Sequence, residues 1–297
     1  MRILLLGSEG QLGRSLISYK PNNIDLIPKN KKGLDITEEN NCFKIISKYK
    51  PSWIINASAY TLVDEAESNK DKAFAVNTLG PINLTKAIKR YGGNLMHFST
   101  DFVFSGNQSK PYKPSQKTNP INIYGKSKAE GEIFINETLS KTNQAVIIRT
   151  SWLISSVGRN FALTILKLHK EKEKLSVVSD QIGTPTTTSS LAKACWKLIK
   201  LKSCSSSNNI QIPSICHYSD AGVASWYDLA VAIGEISEEI GLIDKAAKVI
   251  PIPSSSYQTK AVRPNFSVLD CSTTYKLLDL EPLHWRASLY KLLKELI

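Results

Sequence analysis

The sequence predicts an α/β protein built on a doubly wound parallel β-sheet, with helices on both faces of the sheet. Over the first 150 residues, short apolar runs alternate with segments of helical periodicity, which is the order of elements in α/β folds. The apolar runs are continuous rather than alternating, as expected for strands buried on both faces. After residue 150 the alternation loosens, and the shorter elements there predict a smaller α+β domain.

The strand predictions follow the continuous apolar runs in chain order. The predicted strands of the first half cover residues 2–7, 24–28, 52–59, 94–100 and 145–151. The helices predicted between them cover residues 11–19, 37–50, 69–92 and 124–138. Thr37 is a suitable N-cap for the second helix, and Pro51 ends it. The third helix is predicted to break at Gly80–Pro81, because proline lacks the N–H that a helix interior needs.

Composition excludes several classes of function. The net charge of +12 would suit a nucleic-acid binder, but the lysines are scattered and their one tight cluster, at 29–32, contains no aromatic residue. We therefore expect no nucleic-acid partner, and a surface that favours anionic small ligands. The five cysteines are widely spaced without a C-x-x-C motif, which favours reduced thiols. The four histidines do not cluster with them, so no metal site is predicted.

The sequence also predicts a cytoplasmic protein with no membrane partner. The N-terminal apolar run has only four residues before Gly7, which is too short for the core of a signal peptide. No later stretch approaches the roughly 18 apolar residues of a membrane helix.

A glycine-rich turn follows the first predicted strand. Gly7, Gly10 and Gly13 have the spacing G-x-x-G-x-x-G between that strand and a helix. Such glycines let backbone N–H groups approach a pyrophosphate at a helix N-terminus. The turn therefore predicts dinucleotide binding in a Rossmann-type domain, with a plain tight turn as the alternative.

Two domains are predicted around this turn. Residues 175–180, LSVVSD, predict one more strand of the sheet, and the low-complexity stretch at 202–209 predicts a boundary. We accordingly assign residues 1–150 and 172–202 to the dinucleotide-binding domain. Residues 151–171 and 203–297 are assigned to the substrate-binding domain.

The end of the second predicted strand bears on the choice of cofactor. Many NAD-binding folds place an acidic residue there, where it accepts the ribose 2′-hydroxyl. This chain instead has Lys29, Lys31 and Lys32, which would attract a 2′-phosphate. NADPH is therefore favoured and NADH left open, with ordinary solvated lysines as the alternative.

A tyrosine and a lysine share one helix face behind a polar strand end. Ser99, Thr100 and Asp101 end the fourth predicted strand, and Tyr124 and Lys128 stand four residues apart. Tyrosine ordinarily has a pKa of about 10, too high for efficient proton transfer at neutral pH. A cation one turn away would lower it. The pattern predicts Tyr124 as a general acid that is tuned by Lys128.

The order of these three motifs resembles the extended short-chain dehydrogenase/reductase superfamily, and within it the dTDP-4-dehydrorhamnose reductase family. The resemblance spans nearly the whole chain. Its later motifs, SDQIGTPT and RTSW, are not expected in a generic nucleotide-sugar epimerase or dehydratase. Further shared segments are LLLGSEGQLG, IINASAYTLVDEAES, AVNTLGPINL, HFSTDFVFSG and VRPNFSVLD.

The resemblance implies site residues position by position. It implies catalysis by Thr100, Tyr124 and Lys128, of which the tyrosine and lysine would also contact the cofactor. The other implied cofactor contacts, beyond the glycines and Lys29, are Gln11, Leu12, Asp35, Ile36, Ala59, Tyr60 and Thr61. The implied substrate contacts are Thr100, Asp101, Trp152 and Arg263. Plainer roles stay open: a turn for Asp35, core packing for Trp152 and a surface ion pair for Arg263.

The implied activity is NADPH-dependent reduction of the C4 ketone of dTDP-4-dehydro-β-L-rhamnose to dTDP-β-L-rhamnose. The implied partner is thus a dTDP-sugar substrate. Two alternatives stay open. One is a non-catalytic NADP-binding subunit, similar to the regulatory subunit of methionine adenosyltransferase. The other is a related nucleotide-sugar reductase with a different sugar.

Two positions depart from the family pattern. Some members dimerise around magnesium held by acidic residues, one of them early in the first helix. Here that helix begins Gly13-Arg14-Ser15-Leu16, so a magnesium-bridged dimer is not expected, while a monomer and a homodimer both stay open. Glu9 places a negative charge in the glycine turn, and its side chain is expected to point away from the ligand.

Overall fold

The computed structural model describes residues 1–204 and 212–297, and within them twelve strands and eleven α-helices. The predicted boundary stretch at 202–209 lies outside the described residues from 205 onward. The strands are β1 (Arg2–Leu6), β2 (Asp25–Lys29), β3 (Trp53–Asn56), β4 (Asn94–Thr100), β5 (Ala145–Thr150), β6 (Leu153–Ile154), β7 (Lys174–Val178), β8 (Ile182–Gly183), β9 (Thr186–Thr187), β10 (Ile215–His217), β11 (Ala224–Ser225) and β12 (Lys248–Ile252). The helices are α1 (Gln11–Ser18), α2 (Glu39–Tyr49), α3 (Val63–Ala66), α4 (Lys70–Phe74), α5 (Gly80–Tyr91), α6 (Ile123–Leu139), α7 (Phe161–Glu171), α8 (Thr188–Cys204), α9 (Trp226–Glu239), α10 (Ser272–Leu277) and α11 (Trp285–Lys294).

The central sheet has six parallel strands in the order β2-β1-β3-β4-β5-β10. The chain runs outward from β1 to β2, then returns and continues in the other direction through β3, β4 and β5. The strand order therefore reverses between β1 and β3, and ligands of open α/β sheets bind at the carboxyl ends beside such a point. The predicted doubly wound α/β class is confirmed.

Both faces of the sheet are buried, as the continuous apolar runs predict. Ile3 and Leu5 of β1 pack into one core with α1 and α8. Leu4 and Leu6 face the other way, into a core formed with α2, α5 and α6. Successive strand residues point to opposite faces of the sheet. All four residues are therefore apolar, because two of them pack into each core.

A separate hydrophobic cluster lies in the second half of the chain. It joins α7, α9 and α11 with β7, through residues such as Ile165, Leu229, Ile233 and Leu289. Most of this cluster comes from residues assigned to the substrate-binding domain, but Leu175 and Val177 come from the range assigned to the dinucleotide-binding domain. The exact domain limits stay a prediction.

One predicted strand pairs elsewhere than expected, and one strand of the central sheet was not predicted. The strand in LSVVSD is β7, but it pairs in parallel with β12 instead of extending the central sheet, so that prediction is wrong. The sheet edge beside β5 is occupied by β10, a three-residue strand from the region assigned to the other domain. A short apolar run carries no information about its pairing partner, which is chosen by tertiary packing.

The predicted third helix does not break at Gly80–Pro81. A π-helical turn, Ala75–Leu79, joins α4 to α5, and Pro81 lies in the first turn of α5. The helical hydrogen-bond pattern changes at the π-helical turn directly before Pro81, so the missing N–H of proline does not fall within a regular α-helical interior. Thr37 also differs from the prediction. Helix α2 begins at Glu39 with Glu38 at the N-cap, while Thr37 hydrogen-bonds Asp35.

Candidate active site

The predicted site residues converge at the carboxyl edge of the central sheet. The glycine turn follows β1, residues 59–61 follow β3, residues 100–101 end β4, and Trp152 follows β5. A cleft of about 710 Å³ opens at this edge. Predicted residues that line it are Thr61, Thr100, Asp101, Tyr124, Trp152 and Arg263.

The glycine turn, called the glycine cradle below, packs too closely against the backbone after β3 to admit a side chain at position 7. Gly7 has a φ of +72°, and a Cβ there would lie 2.7 Å from the carbonyl oxygen of Ala57. Gly10 is the N-cap of α1 and provides no side-chain hydrogen bond to the first turn. The first backbone N–H groups of α1, from Gln11 and Leu12, are therefore available to an anion. This arrangement fits the pyrophosphate of a dinucleotide.

Gln11 links the glycine turn to the second half of the chain. Its side-chain oxygen accepts hydrogen bonds from Ser155 Oγ at 2.9 Å and from Asn160 Nδ2 at 3.0 Å. Its amide nitrogen donates to the carbonyl oxygen of Arg159 at 3.2 Å. The side chain of Gln11 thus connects the glycine turn to residues 155–160, and its backbone N–H is the group that remains available to an anion.

Asp35 forms a turn beside the predicted adenine position. Its carboxylate accepts hydrogen bonds from Thr37 N at 3.0 Å and Thr37 Oγ1 at 2.8 Å, and Lys31 Nζ lies 3.6 Å away. Burial acts to raise the pKa of Asp35, but these hydrogen bonds and Lys31 outweigh it and lower the pKa. The adjacent Ile36 is buried, and its carbonyl oxygen accepts from Asn83.

The loop after β3 is held by a residue that the sequence did not single out. Asn77, in the π-helical turn, accepts from Tyr60 N at 2.8 Å and donates to Tyr60 O at 3.0 Å. It also donates to Ser127 Oγ on α6 at 3.0 Å. Asn77 therefore couples residues 59–61 to the helix that carries Tyr124. Single π-helical turns are frequent at functional sites.

Tyr124 lies beside Thr100 because α6 begins very close to the turn after β4. A Cβ on Gly125 would collide with the carbonyl oxygen of Phe102, so only glycine permits this approach. Asn122 caps the helix by accepting from Gly125 N at 2.7 Å. The Phe102 ring contacts the Tyr124 ring edge-on, with 5.9 Å between ring centroids.

The predicted lowering of the Tyr124 pKa is wrong in this structure. Burial raises the pKa of Tyr124 to about 12, with a further rise from the Asp101 charge, and an interaction with Thr100 acts in the opposite direction. Thr100 Oγ1 also donates to Asp101 Oδ1 at 3.0 Å. Burial in turn raises the pKa of Asp101 to about 6. At neutral pH Tyr124 is therefore a protonated hydroxyl.

Lys128 is buried behind this pair and is directed into the sheet. Its Nζ donates to the carbonyl oxygen of Phe98 at 2.5 Å and lies 3.3 Å from Nε2 of His97. This direction explains why helical spacing alone misjudged its influence on Tyr124. Burial lowers the pKa of Lys128 to about 8, although the charge of Glu132 acts to raise it.

The tautomer of His97 follows from its neighbours. Asn56 Oδ1 accepts from Ser58 N at 3.1 Å, which leaves Asn56 Nδ2 as a donor to His97 Nδ1 at 3.1 Å. Burial and the charge of Lys128 hold the pKa of His97 well below its usual value. The neutral ring then carries its proton on Nε2, on the side of Lys128.

A buried ion pair supports the same helix. Arg149 on β5 donates from Nη2 to Glu132 Oε2 at 2.7 Å and from Nε to Glu132 Oε1 at 3.0 Å. Both side chains are almost fully buried. Arg149 also lies 3.3 Å from His217 Nε2, and burial together with the Arg149 charge lowers the pKa of His217 to about 3. Glu132 follows Lys128 by four residues, so it is the nearest compensating charge on α6.

Two aromatic residues and an ion pair form the outer part of the cleft. Trp152 and Trp226 stack with 3.4 Å between ring centroids and 3° between planes. Trp152 has a left-handed φ of 44°, which directs its ring into the cleft. Arg263 donates to both carboxylate oxygens of Asp64, at 2.6 and 3.1 Å. The predicted substrate anchor is thus held in an ion pair across the cleft.

The three lysines predicted to attract a 2′-phosphate are placed differently from one another. Lys29 Nζ lies 5.3 Å from the ring centroid of Tyr49, and Lys31 faces Asp35. Lys32 is exposed.

Within residues 1–204 and 212–297, no group of three or more His, Cys, Asp or Glu side chains could hold a metal ion.

The chain is similar to known proteins over nearly its whole length. The model of the RmlD substrate binding domain matches residues 1–297. The chain is 36% identical to the spore coat polysaccharide biosynthesis protein SpsK of Bacillus subtilis, over 99% of this chain and 97% of that protein. It is 36% identical to dTDP-4-dehydrorhamnose reductase of Aggregatibacter actinomycetemcomitans, over 97% of each. A crystal structure of dTDP-4-dehydrorhamnose reductase from Bacillus anthracis in complex with NADP is 33% identical, with a TM-score of 0.88 and coverage of 99% of both chains.

Proposed function

This chain belongs to the dTDP-4-dehydrorhamnose reductase family, and we propose that it reduces the C4 ketone of dTDP-4-dehydro-β-L-rhamnose to dTDP-β-L-rhamnose with NADPH. The observation that carries the proposal is the placement of Tyr124 beside Thr100, at the sheet edge that also holds the glycine cradle. A proton donor and a dinucleotide cradle at one cleft are the two requirements of a keto-sugar reductase.

NADPH supplies the hydride when bound. The backbone N–H groups of Gln11 and Leu12 would hold its pyrophosphate, and residues 59–61 would line its path along the sheet edge. Lys128 would hold the nicotinamide ribose, for which its Nζ would have to turn from Phe98 O and His97 towards the cleft.

The protein's own part in the chemistry is proton delivery and charge stabilisation. As the C4 carbonyl oxygen becomes an alkoxide, Tyr124 transfers its hydroxyl proton to it. The raised pKa keeps that proton in place until the alkoxide forms. Thr100 hydrogen-bonds the same oxygen and stabilises its developing charge. In this structure the Thr100 hydroxyl donates to Asp101 Oδ1, so it must turn from Asp101 to the substrate oxygen in order to donate there.

The outer cleft would bind the nucleotide sugar. Trp152 and Trp226 offer flat apolar surfaces for a sugar ring or a base. Arg263 matches a diphosphate, since its guanidinium forms a bidentate pair with a carboxylate in this structure and phosphate presents a similar geometry. Binding in this way would require Arg263 to exchange Asp64 for the diphosphate.

A cytoplasmic location belongs to the same proposal. Cys42, Cys195, Cys216 and Cys271 are buried free thiols, which suits a reducing compartment. None of the helices in residues 1–204 and 212–297 has the length and apolar character to cross a membrane.

The test is NADPH oxidation by the purified chain with dTDP-4-dehydro-β-L-rhamnose, and identification of the sugar product. Turnover that yields dTDP-β-L-rhamnose supports the proposal. Absence of turnover, combined with tight binding to methionine adenosyltransferase, would favour the non-catalytic alternative. Turnover with a different keto-sugar nucleotide, and none with this substrate, would change the proposed sugar and leave the proposed type of reaction unchanged.

A further inference from the structure

Glu9 and Asn30 connect the turns that follow the two neighbouring strands β1 and β2. Glu9 is in the glycine turn, and Asn30 comes directly after β2. Asn30 Nδ2 donates to Glu9 Oε1 at 2.7 Å. The side chain of Glu9 therefore does not point away from the nucleotide-binding edge, contrary to the sequence expectation, but lies across the carboxyl end of β2.

Asn30 holds the Glu9 carboxylate, and Arg14 holds the Glu9 backbone. Asn30 Oδ1 accepts from Gly33 N at 3.0 Å, so the Asn30 amide nitrogen must face Glu9 and act as a donor. On the other side, Arg14 Nε donates to the carbonyl oxygen of Glu9 at 3.0 Å. The other carboxylate oxygen, Oε2, accepts no hydrogen bond from the residues that the structure describes, and it is available to a ligand.

Two of the three lysines at the end of β2 have partners other than this carboxylate. The ammonium of Lys29 lies against Tyr49, and that of Lys31 pairs with Asp35. Segment 28–32 reads Pro-Lys-Asn-Lys-Lys, so the strand end lacks the acidic residue that accepts the ribose 2′-hydroxyl in many NAD-binding folds. Glu9 provides a carboxylate at the same strand end from the adjacent turn.

We propose that Glu9, oriented by Asn30, is a specificity-determining residue that accepts the 2′-hydroxyl of the adenosine ribose and opposes a 2′-phosphate. NADH would then be accepted beside NADPH, and Glu9 would offset the attraction that the surrounding lysines exert on the phosphate. The inference rests on the proposed binding of a nicotinamide dinucleotide.

The test uses two fragments that differ only in the 2′-phosphate, 5′-AMP and adenosine 2′,5′-bisphosphate. Their binding to the full-length chain is measured by calorimetry, which is independent of turnover. Glu9→Gln keeps the shape and removes the charge, and it should tighten the bisphosphate about five- to tenfold, as expected for one charge beside a phosphate at a solvated site. Glu9→Gln should leave 5′-AMP unchanged or up to about threefold weaker, as a neutral hydrogen bond replaces a charged one.

Two further variants make the test specific. Glu137→Gln removes the same charge from an exposed position on α6, and it should change neither affinity. Asn30→Ala releases the Glu9 carboxylate, so it should also tighten binding of the bisphosphate, but by less than Glu9→Gln does. The double variant should bind the bisphosphate little more tightly than Glu9→Gln alone. The effect of Glu9→Gln should also shrink at high salt, because surface charges are screened.

The outcomes separate this inference from the proposed function. Tightening of the bisphosphate in Glu9→Gln, but not in Glu137→Gln, supports the inference. If both fragments bind and Glu9→Gln leaves their affinity ratio unchanged, the role of Glu9 is refuted while nucleotide binding stands. If neither fragment, NADH nor NADPH binds the wild-type chain, both the inference and the proposed function are overturned.

Discussion

Replacing Glu132 by glutamine should destabilise the protein strongly, because it leaves the Arg149 charge buried without a partner. Only 3% of the Arg149 side chain and 4% of the Glu132 side chain are exposed. Three hydrogen bonds of 2.7 to 3.1 Å join the two groups. Removing one partner of such a pair costs about 3–5 kcal/mol. In a chain of this size that loss lowers the melting temperature by roughly 10 °C.

Urea denaturation of Glu132→Gln measures the loss directly. Glu235→Gln is a matched control, because Glu235 pairs with Arg286 at 2.6 Å but both side chains are about half exposed. An exposed pair contributes at most about 1 kcal/mol. Equal losses in the two variants would refute the reasoning that burial determines the value of the pair. A second readout is the pH dependence of activity, since loss of the Glu132 charge should move the Lys128 pKa below about 8.

Three further predictions concern the interior of the site and its outer cleft. Folding raises the pKa of Asp101 to about 6, so its contribution to stability is present at pH values below about 4 and is lost as the pH rises through 6. Asp101→Asn should therefore be more stable than the wild type at neutral pH, by up to about 3 kcal/mol, with the gain vanishing in acid; a pH-independent difference in melting temperature would contradict this. Nitrogen NMR should find His97 neutral with its proton on Nε2 at neutral pH, and a proton on Nδ1 would disprove the hydrogen-bond assignment. Arg263→Lys should weaken dTDP binding about tenfold, because lysine cannot form a bidentate contact; unchanged affinity by calorimetry would exclude Arg263 as the diphosphate anchor.

The inner strands of the sheet were predictable from sequence because they are buried on both faces. Ile3, Leu4, Leu5 and Leu6 must all be apolar when two cores meet at one strand, and that requirement is visible locally. The partner of β7 was not predictable, because LSVVSD fits the sheet edge and β12 equally well. Pairing of this kind is decided by residues far away in the chain.

In the site, too, the features set by local sequence were predictable and those set by distant residues were not. Tyr124 beside Thr100 was predictable, since a motif on α6 and a strand end meet at one edge of the sheet. The pKa of Tyr124 was not, because burial outweighs helical spacing and Lys128 is directed towards Phe98 and His97. Asn77 gave no signal beyond its place before the Gly80–Pro81 step.

Proton delivery by Tyr124 is tested by the turnover of Tyr124→Phe with NADPH and dTDP-4-dehydro-β-L-rhamnose. The variant keeps the ring that contacts Phe102 and removes only the hydroxyl, so binding of NADPH and dTDP should be preserved. If Tyr124 is the proton donor, the kcat of this variant should be lower by about 10²–10⁴-fold, with the two binding affinities within about twofold of the wild type. A kcat equal to that of the wild type would contradict it.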